Sequence, residues 1–194
     1  MADEARQTIR AFVALDLDAT SRRCLARFAD RLRMARGAPS ATWVDATHMH
    51  VTLKFMAELP GEAVITLGDA LRPLVEGMEG LQPCVSRLEA FPTIEAARVV
   101  LVELEDASGR LAKLARRVGE LAGKFGVAPD DRPFRPHVTL ARLKRPYDSR
   151  RWLREGLAAI SAECGAAGLT LYRTELGNAG PKHTALARVV FGGG

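Results

Sequence analysis

Alternating apolar and polar residues predict a half-buried strand across residues 48–55. Short apolar runs bounded by charged or turn-forming residues predict further strands at 9–17, 81–91, 98–104, 137–143, 169–176 and 185–191, and a short extended piece at 42–45. Apolar residues at helical spacing predict helices at 22–36, 108–125 and 152–160, and one from the Pro60-Gly61 turn to about residue 75. The two halves of the chain therefore share one order: strand, helix, histidine-bearing strand, helix, strand.

This repeated order predicts an internal duplication. The histidine-bearing strands are 87 positions apart, from position 50 to position 137. We expect an α+β fold with two pseudo-symmetric lobes, built from mainly antiparallel sheets with outer helices that flank a central cleft. The prediction is a single domain over 1–194, with lobes at about 9–91 and 98–191.

Composition narrows the class of protein. Of 194 residues, 47% are hydrophobic, which is enough for a core, while no apolar run reaches the roughly 18 residues of a membrane helix. The three cysteines lie far apart, which disfavours a disulfide framework or a four-thiolate zinc site. We therefore expect a cytoplasmic protein with reduced thiols. The formal net charge is +5, and basic residues concentrate at 132–151, which predicts attraction for phosphate groups.

One tetrapeptide occurs twice in register with the duplication. His50-Val51-Thr52-Leu53 and His137-Val138-Thr139-Leu140 are identical, although the chain contains only four histidines. Side chains alternate along a strand, so each histidine shares a face with the threonine two residues later, while the aliphatic residues face the core. Two such strands would present two imidazoles and two hydroxyls to one cavity.

This set of groups suits displacement at phosphorus. Histidine titrates near neutral pH, so one imidazole can act as general base while the other, protonated, acts as general acid. Two hydroxyls can donate to the phosphate oxygens on which charge sits in the transition state. The chemistry needs no metal ion, cofactor or covalent nucleophile.

The paired motifs resemble those of the 2H phosphoesterase superfamily, and within it the RNA 2′,3′-cyclic phosphodiesterase branch, long called 2′-5′ RNA ligase. Supporting segments are 10–14 (RAFVA), 43–44 (WV), 91–92 (FP), 133–142 (PFRPHVTLAR) and 171–176 (LYRTEL), so the resemblance covers nearly the whole chain. It departs at Met56-Ala57, where relatives usually have an apolar residue and then glycine, and at His183, where they often carry an aromatic residue.

The resemblance implies a role for each matching residue. His50 would be the proton donor to the 3′-oxygen and His137 the proton acceptor that activates water, and the ring would open to a 2′-phosphomonoester. The near-symmetry of the motifs leaves this assignment open on the residues alone. Thr52 and Thr139 would bind the phosphate.

Two further residues are candidates for substrate binding. Arg142 matches a basic position thought to reach the phosphate, although strict alternation places it opposite His137. Phe12 could stack on a nucleobase, as aromatic side chains do in single-strand binding, or could lie in the core.

The sequence leaves three alternative functions open. A metal-dependent phosphoesterase would use His48 and His50 as ligands, with Asp45 or Glu58. A non-catalytic protein could hold RNA ends that carry a cyclic phosphate. The same site could also run backwards as a 2′-5′ RNA ligase. The expected partner in each enzymatic reading is RNA or an oligonucleotide with a 2′,3′-cyclic phosphate end, acted on by a monomer that does not associate with membranes.

Overall fold

The structure, a computed structural model, describes residues 7–156, 162–177 and 180–192. The described residues form eight strands: β1 (Thr8–Leu17), β2 (Ala41–Trp43), β3 (His50–Pro60), β4 (Cys84–Phe91), β5 (Ala97–Glu105), β6 (His137–Tyr147), β7 (Ala166–Gly177) and β8 (Gly180–Val190). Each predicted strand is present. The first histidine-bearing strand begins two residues later than predicted, because residues 46–48 form a 3₁₀ turn that the Asp45 side chain caps through the Thr47 N–H at 2.8 Å.

Five helices follow the apolar periodicity of the sequence: α1 (Ala19–Met34), α2 (Ala63–Ala70), α3 (Arg72–Val75), α4 (Arg110–Gly123) and α5 (Arg150–Gly156). Asp18 caps α1 by accepting a hydrogen bond from the Ser21 N–H at 2.7 Å. The helix predicted to reach residue 75 is divided into α2 and α3, with Pro73 in the first turn of α3. The helix predicted at 152–160 begins at Arg150, and residues 157–160 lie outside the described ranges.

All strand pairs are antiparallel, in the order β4-β5-β6-β3-β1-β7-β8, with β2 also on β6. The α+β architecture with antiparallel sheets is as predicted. The central strands β3 and β6 share a single residue pair, Val51 with Val138, so this junction joins two broader groups of strands.

The strand groups do not follow the two halves of the sequence. β4 pairs with β5 and lies on the β6 side, whereas β7 and β8 lie on the β1 side. The lobes predicted at 9–91 and 98–191 therefore do not coincide with the two sides of the sheet. An order of elements along the chain does not specify which strands pair, and here each histidine strand acquires its outer strands from both halves.

The hydrophobic core lies on the face of the sheet that carries Val51 and Val138, both fully buried. Helix α4 packs against β3, and its buried residues Leu114 and Val118 belong to the same hydrophobic cluster as Val51 and Val138. At such positions each buried aliphatic side chain contributes roughly 1.5–3 kcal/mol. In the described ranges, none of the helices has the length and apolar character that a membrane span requires.

Candidate active site

The pairing of Val51 with Val138 fixes the relative positions of the two motifs. In an antiparallel ladder with this register, His50 lies opposite Thr139, and Thr52 lies opposite His137. All four side chains point away from the core and are half-buried. The two histidines are therefore diagonal neighbours on one face, a relationship that places two residues about 7–8 Å apart, with their Cβ atoms somewhat closer.

Both motif histidines are held by the same local hydrogen bond. The Nδ1 of His50 donates to the carbonyl oxygen of His48 at 2.7 Å, and the Nδ1 of His137 donates to the carbonyl oxygen of Arg135 at 2.8 Å. A carbonyl can only accept, so each Nδ1 carries a hydrogen and each Nε2 is left as the titrating atom. Two identical tetrapeptides thus produce two imidazoles in the same tautomer.

Arg142 lies on the same face as the histidines, contrary to strict alternation. The β5–β6 register shifts between Val100 and Leu101, so that Leu140 is an extra residue in β6. The side chain of Arg142 is exposed. Burial lowers the pKa of His183, a further residue of the site described below, and the charges of His48 and Arg142 lower it further. Because of this bulge, the side chain of Arg142 lies on the face of the site, which strict alternation would not allow.

An equivalent irregularity in β3 has the opposite effect on Lys54. The β1–β3 register shifts at Val13 and Ala14, and Leu53 is the extra residue. Lys54 is 3% exposed and lies on the core face, where its Nζ donates to the Ala128 carbonyl at 2.8 Å and forms an ion pair with Asp130 at 3.0 Å. Strict alternation along β3 would place this lysine on the same face as His50, and the extra residue at Leu53 reverses that placement.

Phe12 is buried, being 4% exposed. Its ring stacks on His50 with centroids 4.9 Å apart and on Tyr172 at 5.1 Å. A side chain covered in this way has no free face for a nucleobase, so the stacking role considered from the sequence is corrected. Phe12 instead packs against the imidazole of His50 and excludes water from that side.

The buried carboxylate of Asp16 lies next to His50, and no sequence motif indicates its presence there. Asp16 is directly opposite His50 in the β1–β3 pair and is 4% exposed. It accepts hydrogen bonds from Thr170 Oγ1 at 2.6 Å and the Tyr172 hydroxyl at 3.3 Å, and Arg188 approaches it at 3.4 Å. The sequence feature that could have indicated this carboxylate is that Asp16 is the single acidic residue in the otherwise apolar run at 11–17.

His183 is a third imidazole at the site. Its ring meets His50 edge-on with centroids 6.2 Å apart, and it meets Phe12 in the same manner at 4.9 Å. His48, two residues before His50, lies within electrostatic range of His183. All four histidines of the chain therefore belong to one group, whereas the sequence motif identified only two of them.

The electrostatic environment of His50 favours its neutral form. Burial is the main cause that lowers its pKa, and the charges of His183 and His137 act in the same direction. The hydrogen bond to the His48 carbonyl and the carboxylate of Asp16 partly oppose this effect. The two motif histidines are thus close enough to influence each other's charge.

A metal-dependent phosphoesterase would need several ligating side chains close together. Within residues 7–156, 162–177 and 180–192, no group of three or more histidine, cysteine, aspartate or glutamate side chains is placed to hold a metal ion. Asp45, the acid considered as a partner of His48, instead caps the turn at 46–48. The metal-dependent alternative therefore lacks a ligand set in this part of the chain.

Comparison with known proteins identifies the family. The model of the LigT like Phosphoesterase family matches residues 15–101 and 102–183, and the chain belongs to this family. A Thermus thermophilus protein named RNA 2′,3′-cyclic phosphodiesterase is 33% identical over 193 residues, which cover 93% of this chain and 89% of that protein. A Methanothermobacter thermautotrophicus protein of the same name is 29% identical over 180 residues, or 91% and 95% of the two chains.

A solved structure supports the same fold. The crystal structure of Escherichia coli LigT in apo form matches with a TM-score of 0.67 and 22% identity, and it covers 95% of this chain and 98% of that one. The resemblance inferred from the paired motifs is confirmed. The two motifs lie at the β3–β6 junction of a phosphoesterase of the LigT-like family.

Proposed function

We propose that this protein hydrolyses the 2′,3′-cyclic phosphate at the end of an RNA strand to a 2′-phosphomonoester. The single observation that carries the proposal is the diagonal placement of His50 and His137 on one face, each with Nδ1 tied to a carbonyl and Nε2 free. The names of the curated relatives support the same activity.

In the proposed mechanism, two imidazoles act on opposite sides of one phosphorus atom. His137 takes a proton from water through Nε2, and the water oxygen forms a bond to phosphorus. The bond from phosphorus to the 3′-oxygen breaks, and His50 gives its Nε2 proton to that oxygen. Each of these proton transfers is typically worth about 10²–10⁴-fold in rate.

The remaining side chains would hold the phosphate during this displacement. Thr52 and Thr139 are directly opposite the two histidines and would donate their hydroxyl hydrogens to the non-bridging oxygens. Arg142, on the same face, would supply positive charge to the same group. In water, hydrolysis is favoured over the reverse reaction, so 2′-5′ ligation would be a side reaction of the same site.

The proton-donor role of His50 has an electrostatic requirement. Burial lowers its pKa, which disfavours the protonated form in the empty site. A bound cyclic phosphate brings negative charge next to the ring and so raises that pKa. Substrate binding would therefore favour the protonated form of His50, which the proton donor requires.

The test is hydrolysis of a short oligonucleotide with a 2′,3′-cyclic phosphate end, with EDTA in the buffer. The expected product carries its phosphate on the 2′ hydroxyl, as resolved by chromatography against 2′- and 3′-phosphate standards. Binding without turnover would favour the RNA-end binding protein, activity that EDTA abolishes would favour the metal-dependent enzyme, and a 3′-phosphate product would contradict the proposed direction of ring opening.

A further inference from the structure

An accessible imidazole adjoins the proposed proton donor but has no role in the mechanism above. His183 on β8 is half-buried, and its ring stands almost perpendicular to those of His50 and Phe12, at 90° and 83°. These edge contacts fix the position of the ring while leaving part of it open to solvent. A group so placed can touch a substrate that His50 also touches.

The hydrogen bonding of His183 differs from that of the two motif histidines. Its Nδ1 is 3.1 Å from the Thr174 hydroxyl oxygen, rather than from a carbonyl. A hydroxyl can donate as well as accept, so the neutral ring can carry its hydrogen on Nε2 and donate it. His183 is therefore suited to hydrogen-bond an oxygen acceptor, whereas His50 and His137 are confined to the tautomer that suits proton transfer.

The charges around His183 favour an anion. Burial is the main cause that lowers its pKa, and the charges of His48 and Arg142 act in the same direction. Among the described residues, Arg142 has no carboxylate partner within ion-pair distance. The carboxylate of Asp16 is already engaged by Thr170, Tyr172 and Arg188. Within the described ranges of the chain, the positive charge of Arg142 is thus available to an anion on this side of the site.

We propose that His183, with His48 beside it, binds the phosphodiester that precedes the terminal nucleotide of an RNA strand. In the sheet order, β8 lies on the opposite side of β3 from β6, and the ring of His183 lies 6.2 Å from that of His50 between centroids. His183 is therefore beyond the proton donor, on the side where the proposed mechanism places the 3′-oxygen, its sugar and the strand that continues from it. This inference rests on the proposed function. It makes the substrate an oligonucleotide in preference to a cyclic mononucleotide.

The experiment compares two dinucleotides that end in a 2′,3′-cyclic phosphate. One has a normal phosphodiester between the nucleotides, and the other has an uncharged methylphosphonate there. For the wild-type protein, kcat/KM should be about 10- to 100-fold higher with the phosphodiester, the range expected for a hydrogen bond to a charged group. In His183→Phe, which keeps an aromatic ring against Phe12, this ratio should fall close to one.

The ratio of the two kcat/KM values is used because any loss of activity that is common to both dinucleotides cancels in it. Lys182→Gln is the matched control, because it removes a formal positive charge from the adjacent, exposed position of β8 and should leave the ratio unchanged. A wild-type ratio near one, or an unchanged ratio in His183→Phe, would overturn the inference. Failure of the wild-type protein to hydrolyse either dinucleotide or adenosine 2′,3′-cyclic phosphate would instead reject the proposed function, and the inference with it.

Discussion

The ring of Phe12 stacks on the imidazole of His50, with centroids 4.9 Å apart and an angle of 23° between the planes. The two motif histidines have identical local sequences and the same Nδ1 hydrogen bond. The aromatic packing around His50, which comprises Phe12, Tyr172 and His183, therefore gives this histidine a distinct environment within a nearly symmetric motif pair. A difference in environment is what allows two equivalent side chains to take different roles in acid–base catalysis.

Replacing Phe12 with leucine should raise the pKa of His50 towards its ordinary value. Burial is the largest cause that lowers this pKa, and a smaller side chain admits water to the covered side of the imidazole. The measurement is an NMR titration of the His50 ring in wild-type and variant protein. Phe91→Leu is the matched control, because Phe91 is 53% exposed and lies on β4, which β5 and β6 separate from the β3 strand of His50. An unchanged His50 titration in the Phe12 variant would mean that the stack is not the source of the desolvation.

Substitution of either motif histidine should remove most of the activity. His50→Gln and His137→Gln should each reduce kcat by roughly 10²–10⁴-fold, because each removes one proton transfer. The double variant should be little worse than the single variants, since groups that act as a unit have strongly non-additive effects. Melting temperatures should be measured for all three variants. A loss of activity that simply follows loss of folded protein would argue for a structural role.

Substitution of the threonines should have smaller effects. Thr52→Val and Thr139→Val keep the branched shape but remove the hydroxyl donor, and each should lower kcat by roughly 10²-fold, the effect of losing one oxyanion donor. Serine at the same positions keeps the hydroxyl and should retain more activity than valine. Full activity in the Thr52→Val, Thr139→Val double variant would exclude both hydroxyls from the phosphate site.

The pH dependence of kcat/KM should be bell-shaped, because the donor must be protonated and the acceptor neutral. The pKa of His50 is lowered in the free protein, so its protonated form is lost as pH rises. As donor it should make kcat/KM decline as pH rises through a value below about 6.5, the ordinary pKa of histidine. Protonation of the acceptor produces the decline at low pH. A profile that stays flat from roughly pH 5 to 9 would be incompatible with a pair of histidines.

Much of the fold follows from local patterns. Alternation and apolar spacing predicted each strand and the approximate position of each helical segment, and the repeated tetrapeptide located the junction at which β3 meets β6. These features depend on residues close in sequence, such as the capping of α1 by Asp18. The exchange of outer strands between the two halves was not predictable in this way, because it depends on long-range pairing.

The candidate site was only partly predictable for the same reason. Strict alternation would assign both Arg142 and Lys54 to the wrong face, because one extra residue in each strand reverses the alternation beyond the bulge. His183 lies 133 positions from His50 along the chain and reaches it through the β1, β7 and β8 pairings. Its proximity is a property of the sheet topology rather than of any motif.

The central claim is that His50 and His137 act on one phosphorus atom. A crystal structure with an adenosine vanadate complex, in which vanadium takes the place of phosphorus in the transition state, tests it most directly. The account predicts that the Nε2 atoms of both histidines lie about 2.6–3.2 Å from oxygens on opposite sides of the same vanadium. Binding of the vanadate to only one imidazole, with the other turned away or out of hydrogen-bond reach, would contradict it.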